Sequence, residues 1–484
     1  MNKIITLSAI AFLSTSLYAN ADMQTQIDEL TAKIAKMEKT QKKQSKKISQ
    51  VNKLANKDNI KFDVDFRTSY DNLNYDMVSG REHKNNGLFS NRLWLGMGYA
   101  PTDTMLFKGQ LSFNKAFGAS YGQRGTGMGF DTFDWIVNEQ LTDDTLRVRE
   151  AYWLWTPTIG GFGTTFSVGR RPATNGYLIN LRDDDKAKSP MGHIINMEFD
   201  GASASIKLDN VLPGAYAKLC IGRGLTNATG WASTATGLVG SPMGASQQPN
   251  YTEDSNNLDN TDMVGLIIKP YDDGQYSVMT KYYRGFNVPG LKFNNPRNPM
   301  AGATMESFGD MDGAAISGKI EGIGDEINDF LDETIIFASY GWSQTAPDAG
   351  KAMLGKTSKR DGFSYWVGTQ MPNMTGGKFG LEYNHGSKYW RPFTYGEDTM
   401  AGSKMAVRGD AYEAYWTQPI IDNVFSMQIR YTYLDYAFTG SDGFFGEGGT
   451  PMSMAEVSGA QQMGMQIDAI DTASDIRVYF RYRY

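Results

Sequence analysis

Three histidines, one cysteine and one acidic run are the places in this chain where side-chain chemistry would first be sought. His83, His193 and His385 are scattered, with no metal-ligand spacing and no nucleophile motif beside any of them. Cys220 is the sole cysteine, so it has no intrachain disulfide partner, and it reads as a small apolar strand residue. Asp183-Asp184-Asp185 carries oxygens that suit a hard cation, but it lacks EF-hand spacing and reads first as a solvated loop. The glycines of 122–129 lack the Lys-Ser/Thr of a phosphate-binding loop. These residues lead us to expect no enzyme, no metal and no cofactor.

A second set of residues has regular spacing. The chain ends D-I-R-V-Y-F-R-Y-R-Y, Asp475 to Tyr484. Ile476, Val478, Phe480, Tyr482 and Tyr484 fall on one face of a strand, and Arg477, Tyr479, Arg481 and Arg483 on the other. Ten residues at about 3.3 Å each, tilted, rise roughly 25 Å, the height of an outer-membrane apolar band. Phe480, Tyr482 and Tyr484 resemble the aromatic terminal signal read by the barrel assembly machinery. The same alternation marks Ile60–Tyr70, where Lys61, Asp63, Asp65 and Arg67 share one face. A wet lumen tolerates four charges on one face. Extended along the chain, it turns Arg67, Lys108, Lys207, Lys281, Glu382, Glu413, Arg430, Arg477, Arg481 and Arg483 toward a lumen, with Asp63 and Asp65. Arg147 and Arg149 have no assigned face, because Glu150 breaks the phase of their strand, and Arg171 lies at a strand end.

Elements must be found to hold these residues. Beyond the first 20 residues there is no apolar run of 18, so spanning helices are excluded. The mean hydropathy of −0.43 is compatible with a barrel, since half of each strand faces water. Aromatics at 12% and 53 glycines suit strands and turns. The net charge of −6, with no basic face, argues against nucleic acid.

Residues 1–21 read as a cleaved signal peptide: Lys3, an apolar Ile4–Leu17, then Ala19-Asn20-Ala21. Over 22–57 a heptad pattern (Met23, Ile27, Leu30, Ile34, Met37, Ile48, Val51) predicts a periplasmic coiled coil about 50 Å long. Its lysines form either a solvated face or a surface for an anionic partner. Residues 58–484 are then an outer-membrane β-barrel of about 16 strands, with 14 to 18 open. Short connections at Pro101–Thr104, Gly160-Gly161, Pro213-Gly214, Tyr271–Gly274, Ile327–Leu331, Asn373–Gly377 and Pro419–Asn423 all fall at one end. One strand is expected over His193–Leu208. Five long segments, 71–91, 116–145, 224–261, 287–313 and 437–474, are candidates to fold inward as a constriction.

Three stretches carry a family likeness: R-V-R-E-A-Y-W (Arg147–Trp153), S-V-G-R-R-P-A-T-N-G (Ser167–Gly176) and S-P-M-G-H-I-I-N-M-E-F-D-G-A-S (Ser189–Ser203). They resemble an uncharacterised porin-like outer-membrane family of epsilonproteobacteria, classed as a domain of unknown function. The R-E-A-Y strand followed by a V-G-R strand is more distantly similar to phosphate- and sugar-type porins. The resemblance implies a barrel and passive diffusion of small solutes, and names no substrate.

The combined expectation is a porin in outer-membrane lipid, homotrimeric through the coiled coil, with a weak lean to anions from its cationic lumen. The alternative for the charges is that they pair along the wall. The alternative for the protein is a structural anchor, a plugged barrel whose stalk tethers peptidoglycan. An exported soluble β-protein is the third reading.

Overall fold

Alternation carries through the chain with few breaks. The computed structural model describes residues 60–119, 141, 145–171, 173–229, 252–253, 258–295, 302–324, 327–395, 397–441 and 443–484. The expected leader and coiled coil lie outside the described residues, as do most of segments 116–145 and 224–261. Lys61–Gly98 and Thr104–Tyr484 form one compact unit.

Sixteen long strands are present among the described residues. They are β1 (Lys61–Met77), β2 (Glu82–Tyr99), β3 (Met105–Ala116), β4 (Arg147–Trp155), β5 (Phe162–Arg171), β6 (Phe199–Lys207), β7 (Tyr216–Leu225) and β8 (Thr261–Asp272). The remainder are β9 (Tyr276–Phe293), β10 (Ala303–Glu321), β11 (Ile335–Pro347), β12 (Arg360–Pro372), β13 (Lys378–Gly386), β14 (Gly409–Ile421), β15 (Phe425–Tyr436) and β16 (Ile470–Arg483). Each pairs with the next, and β16 returns to β1 with Asp65 opposite Arg483 and Asp71 opposite Arg477. Tyr484 adds two backbone bonds to Val64, of 2.8 and 2.9 Å. The sheet is therefore a closed antiparallel barrel with no free edge, the condition for a sheet to live in hydrocarbon.

The two faces differ as the alternation predicts. Phe66, Phe107, Leu219, Ile221, Ile316, Leu381, Ile429, Tyr431, Ile476 and Phe480 are exposed on the outer face. Such a continuous exposed apolar surface marks contact with lipid. Their neighbours in sequence turn inward and are mostly buried.

Several expected boundaries are corrected. β1 and β2 run through most of segment 71–91 and leave only a turn at 78–81; β9 and β10 likewise take up much of 287–313. Above the apolar band lipid no longer selects the outer face, so Asn72 and Asn74 stand there while Asp71 and Leu73 stay buried on the inner face and the ladder bonds continue. β16 starts at Ile470 for the same reason. β6 starts at Phe199, not His193; His193–Glu198 belongs to a segment inside the barrel.

Three short α-helices complete the described fold: α1 (Ile179–Arg182), α2 (Asp329–Asp332) and α3 (Met454–Gln462). α2 lies at the expected connection and is capped by the Asn328 side chain on the Leu331 N–H, at 2.9 Å. α3 starts with a capping box: Ser453 Oγ accepts from the Glu456 N–H, and the Glu456 carboxylate accepts from the Ser453 N–H.

Candidate functional site

The lumen is filled by two segments, 173–198 after β5 and 387–408 after β13. Neither was among the five candidates for inward folding. They meet at Ile195 and Phe393, which pair as a parallel bridge. The Asn196 N–H donates to Phe393 O at 2.7 Å, and the Phe393 N–H to Ile194 O at 3.0 Å. A third contribution comes from segment 437–474, whose Phe444 and Phe445 are buried.

On one side these segments meet the wall through ions. Asp398 binds Arg67 through both guanidinium nitrogens and Arg477 at 3.0 Å, with Arg92 and Arg430 at 3.6 and 3.7 Å. Arg477 also holds Asp71, across the β1–β16 seam. Lys404 bridges the wall carboxylates Glu382 and Glu413. Arg182, at the end of α1, reaches Glu397 at 3.3 Å and Glu413 at 3.4 Å. Arg481 holds Asp65 and Asp185, while Arg483 reaches Asp185 at 3.2 Å. Burial alone would raise the Asp398 carboxyl; Arg67, Arg477 and Arg430 outweigh it and hold it well below the ordinary range. Burial alone would lower the Arg182 guanidinium, and Glu413, Asp183 and Glu397 raise it instead.

On the other side the contact is apolar. Wall residues Tyr283, Val288, Phe308, Met311, Phe337 and Trp366 pack with Met191, Ile194, Met197, Trp390, Phe393 and Met405 of the inner segments. Glycines in the wall make room: a Cβ on Gly341 would stand 2.6 Å from the Trp390 ring, and one on Gly362 would stand 2.3 Å from Tyr389 O. His193 sits in this apolar mass, with Nδ1 2.7 Å from Ser339 Oγ and Nε2 2.9 Å from Ser364 Oγ. The chain of hydroxyls continues to Ser317 and to Asn384. Burial pushes the imidazole down to about 3, so it is neutral. Both its nitrogens are occupied by serines, and its ring packs on Trp366 and Trp390. This makes it a structural node between wall and filling.

The expected lumen residues can now be placed. Arg67, Lys281, Glu382, Glu413, Arg430, Arg477 and Arg481 are buried on the inner face. Lys108 and Lys207 are exposed, and Arg483 stands at the rim beside Asp184 and Asp185. Phe480, Tyr482 and Tyr484 are exposed on the outer face. Most of these charges are paired, the alternative left open above, so the cationic wall is largely neutralised where the inner segments touch it. The break in phase at Glu150 is a bulge: Glu150 stands opposite Gln110 and Val148 opposite Leu111. It lets Arg149 and Glu150 both turn inward and be buried. Arg149 reaches Glu198 at 3.3 Å, and Arg149 and Arg92 both stack on Trp94, at 4.1 and 3.5 Å.

The acidic run is corrected most. Asp183 is buried against Arg430 and Arg182, Asp184 pairs with Lys378, and Asp185 pairs with Arg481 and Arg483. It fastens the first inner segment to the wall and is not a solvated run. Among the described residues no acidic, His or Cys group could hold a metal. The histidines are not brought together: His83 lies on β2, and His385 on β13 pairs with Asp410 at 2.9 Å.

Solved structures with a similar fold include an anion-selective porin from Comamonas acidovorans, with TM-score 0.47, 9% identity, and 88% of this chain and 99% of that one covered. Salmonella typhi OmpF in complex with daunomycin aligns with TM-score 0.46 and 10% identity over 87% of this chain and 97% of that one. Pseudomonas putida OprB does so with TM-score 0.45 and 10% identity over 88% and 94%. No curated protein sequence matches. The model of a family described as "Protein of unknown function (DUF3373)" matches residues 82–484, so this chain belongs to the DUF3373 family.

Proposed function

We propose that the protein is an outer-membrane channel that passes small hydrophilic solutes passively through a path narrowed to one sector of its lumen. One observation carries this reading. Inside a closed barrel with an apolar outer face, Asp63 near the start of β1 and Lys108 near the start of β3 remain exposed, while further along β1 Arg67 and Asp71 are buried in ion pairs. A path past Asp63 and Lys108 would be wet, with charge of both signs. A lean to anions then rests on Lys108 and Lys207, since the other expected cations are buried and most are paired. Single-channel recording of the detergent-purified protein under a KCl gradient tests this. Small steady steps are expected, and the sign of the reversal potential decides the lean.

The filled lumen favours a second reading, an anchor whose barrel does not conduct and whose coiled coil over 22–57 tethers peptidoglycan. Silence from folded, inserted protein, together with retention on peptidoglycan lost on deleting 22–57, would establish it. In either reading, we take Phe480, Tyr482 and Tyr484 as the signal to the assembly machinery and the coiled coil as the site of trimer formation. Loss of the trimer on the same deletion checks the latter.

A further inference from the structure

The buried guanidinium groups around Asp398 each have a carboxylate within reach. One part of the lumen does not follow that pattern. Between β6–β9 and the first inner segment lies a cavity. Ile195, Phe199, Met263 and Ile267 give it apolar walls. Arg171, Lys218 and Lys281 also line it.

Lys281 is only 7% exposed. Among the described residues it makes no hydrogen bond and no ion pair; its ammonium lies 6.0 Å from the Tyr283 ring centre, at the limit of a useful cation–π contact. Arg171 stacks over Tyr152 at 5.1 Å, and its Nη1 is buried without a hydrogen-bond partner. Lys218 feels the repulsion of Arg171, and Lys281 that of Lys218. Among the described residues no carboxylate is paired with Lys281, and the Cys220 side chain also lines the cavity. Cationic side chains gathered around an apolar hole favour the arrival of a counter-charge. Small-molecule sites likewise pair apolar walls with a few polar groups.

We propose that this cavity binds a small organic carboxylate carrying an apolar body. The carboxylate would sit among Lys281, Lys218 and Arg171, and the body against Ile195, Phe199, Met263 and Ile267. The site is separate from the conduction path proposed above and stands whether or not the barrel passes current.

Octanoate is the probe, titrated calorimetrically into the full protein in non-ionic detergent. Cys220, the sole cysteine, reports position through its rate of alkylation by iodoacetamide. Octanoate is expected to bind saturably and to slow alkylation, while octanol and acetate at equal concentration do neither. Lys281→Met is expected to weaken octanoate by about tenfold or more. Lys281→Gln serves if the first variant does not fold. No saturable octanoate binding would overturn the proposal. So would octanol or acetate binding as well as octanoate, or both Lys281 variants binding unchanged. If Cys220 resists alkylation, calorimetry decides alone.

Discussion

On the side of the barrel formed by β1, β2 and β13–β16, the lumen is occupied by ions; on the side of β9–β12 it is occupied by rings and thioethers. The same two segments supply both halves. Asp398 and Met405 lie seven positions apart, yet one is held by arginines and the other by an apolar cluster. The difference lies in what each contact specifies. Apolar packing follows volume and is non-directional. A buried carboxylate among guanidinium groups adds little net stability over an apolar replacement, but losing one partner is costly, so it fixes position.

Breaking the ionic half should have the largest effect. Asp398→Asn leaves Arg67, Arg92, Arg430 and Arg477 facing one another, at a cost of about 3–5 kcal/mol. Denaturant unfolding would read that loss, and recordings should show larger conductance if segment 387–408 leaves the lumen. The apolar half should behave differently. Met405→Ala costs roughly 2–5 kcal/mol by creating a cavity, and conductance should stay unchanged. If Met405→Ala opens the path as Asp398→Asn does, the two halves are not mechanically distinct.

Acid separates them further. The His193 imidazole is held down to about 3, against about 6.5 when unfolded. Its contribution is therefore complete above pH 6.5 and lost as the pH falls toward 3, at about 1.4 kcal/mol per unit. Asp398 is held below the ordinary carboxylate range, so its contribution is intact down to that range and lost only at lower pH. Between pH 6.5 and 5 the His193 contact should weaken while Asp398 holds, and His193→Gln should flatten the unfolding midpoint over that window. A slope unchanged in the variant would move the effect elsewhere. Last, Lys378→Ala removes an exposed pair with Asp184 and should cost about 0–1 kcal/mol, fading with salt. A larger loss would mean that the acidic run is fastened at its exposed end as well.

The strands were legible because a period of two survives wherever one face meets lipid and the other meets polar groups. The phase break at Glu150 was visible too, although its cause, a bulge, needed the partner strand. Strand ends were not legible, because beyond the apolar band neither face is selected. The inner segments were hidden for another reason. Asp183–Asp185 and the arginines of β16 were each conspicuous, but nothing local says that Arg481 will meet Asp185 from 296 positions away. Met191, Ile194 and Trp390 look like loop residues until the wall that covers them is known. Nothing local in His193-Ile194-Ile195 distinguishes a buried inner segment from the start of β6.

The bridge between Ile195 and Phe393 also constrains the order of events during assembly. Neighbouring hairpins form from residues a few positions apart, at low loop-closure entropy. The bridge joins two segments nearly two hundred residues apart, and the β1–β16 seam joins the two ends of the barrel. Contacts of such separation form slowly. Bridge and seam are thus both late, long-range closures, so the time to reach the filled barrel should depend on residues that never touch the seam.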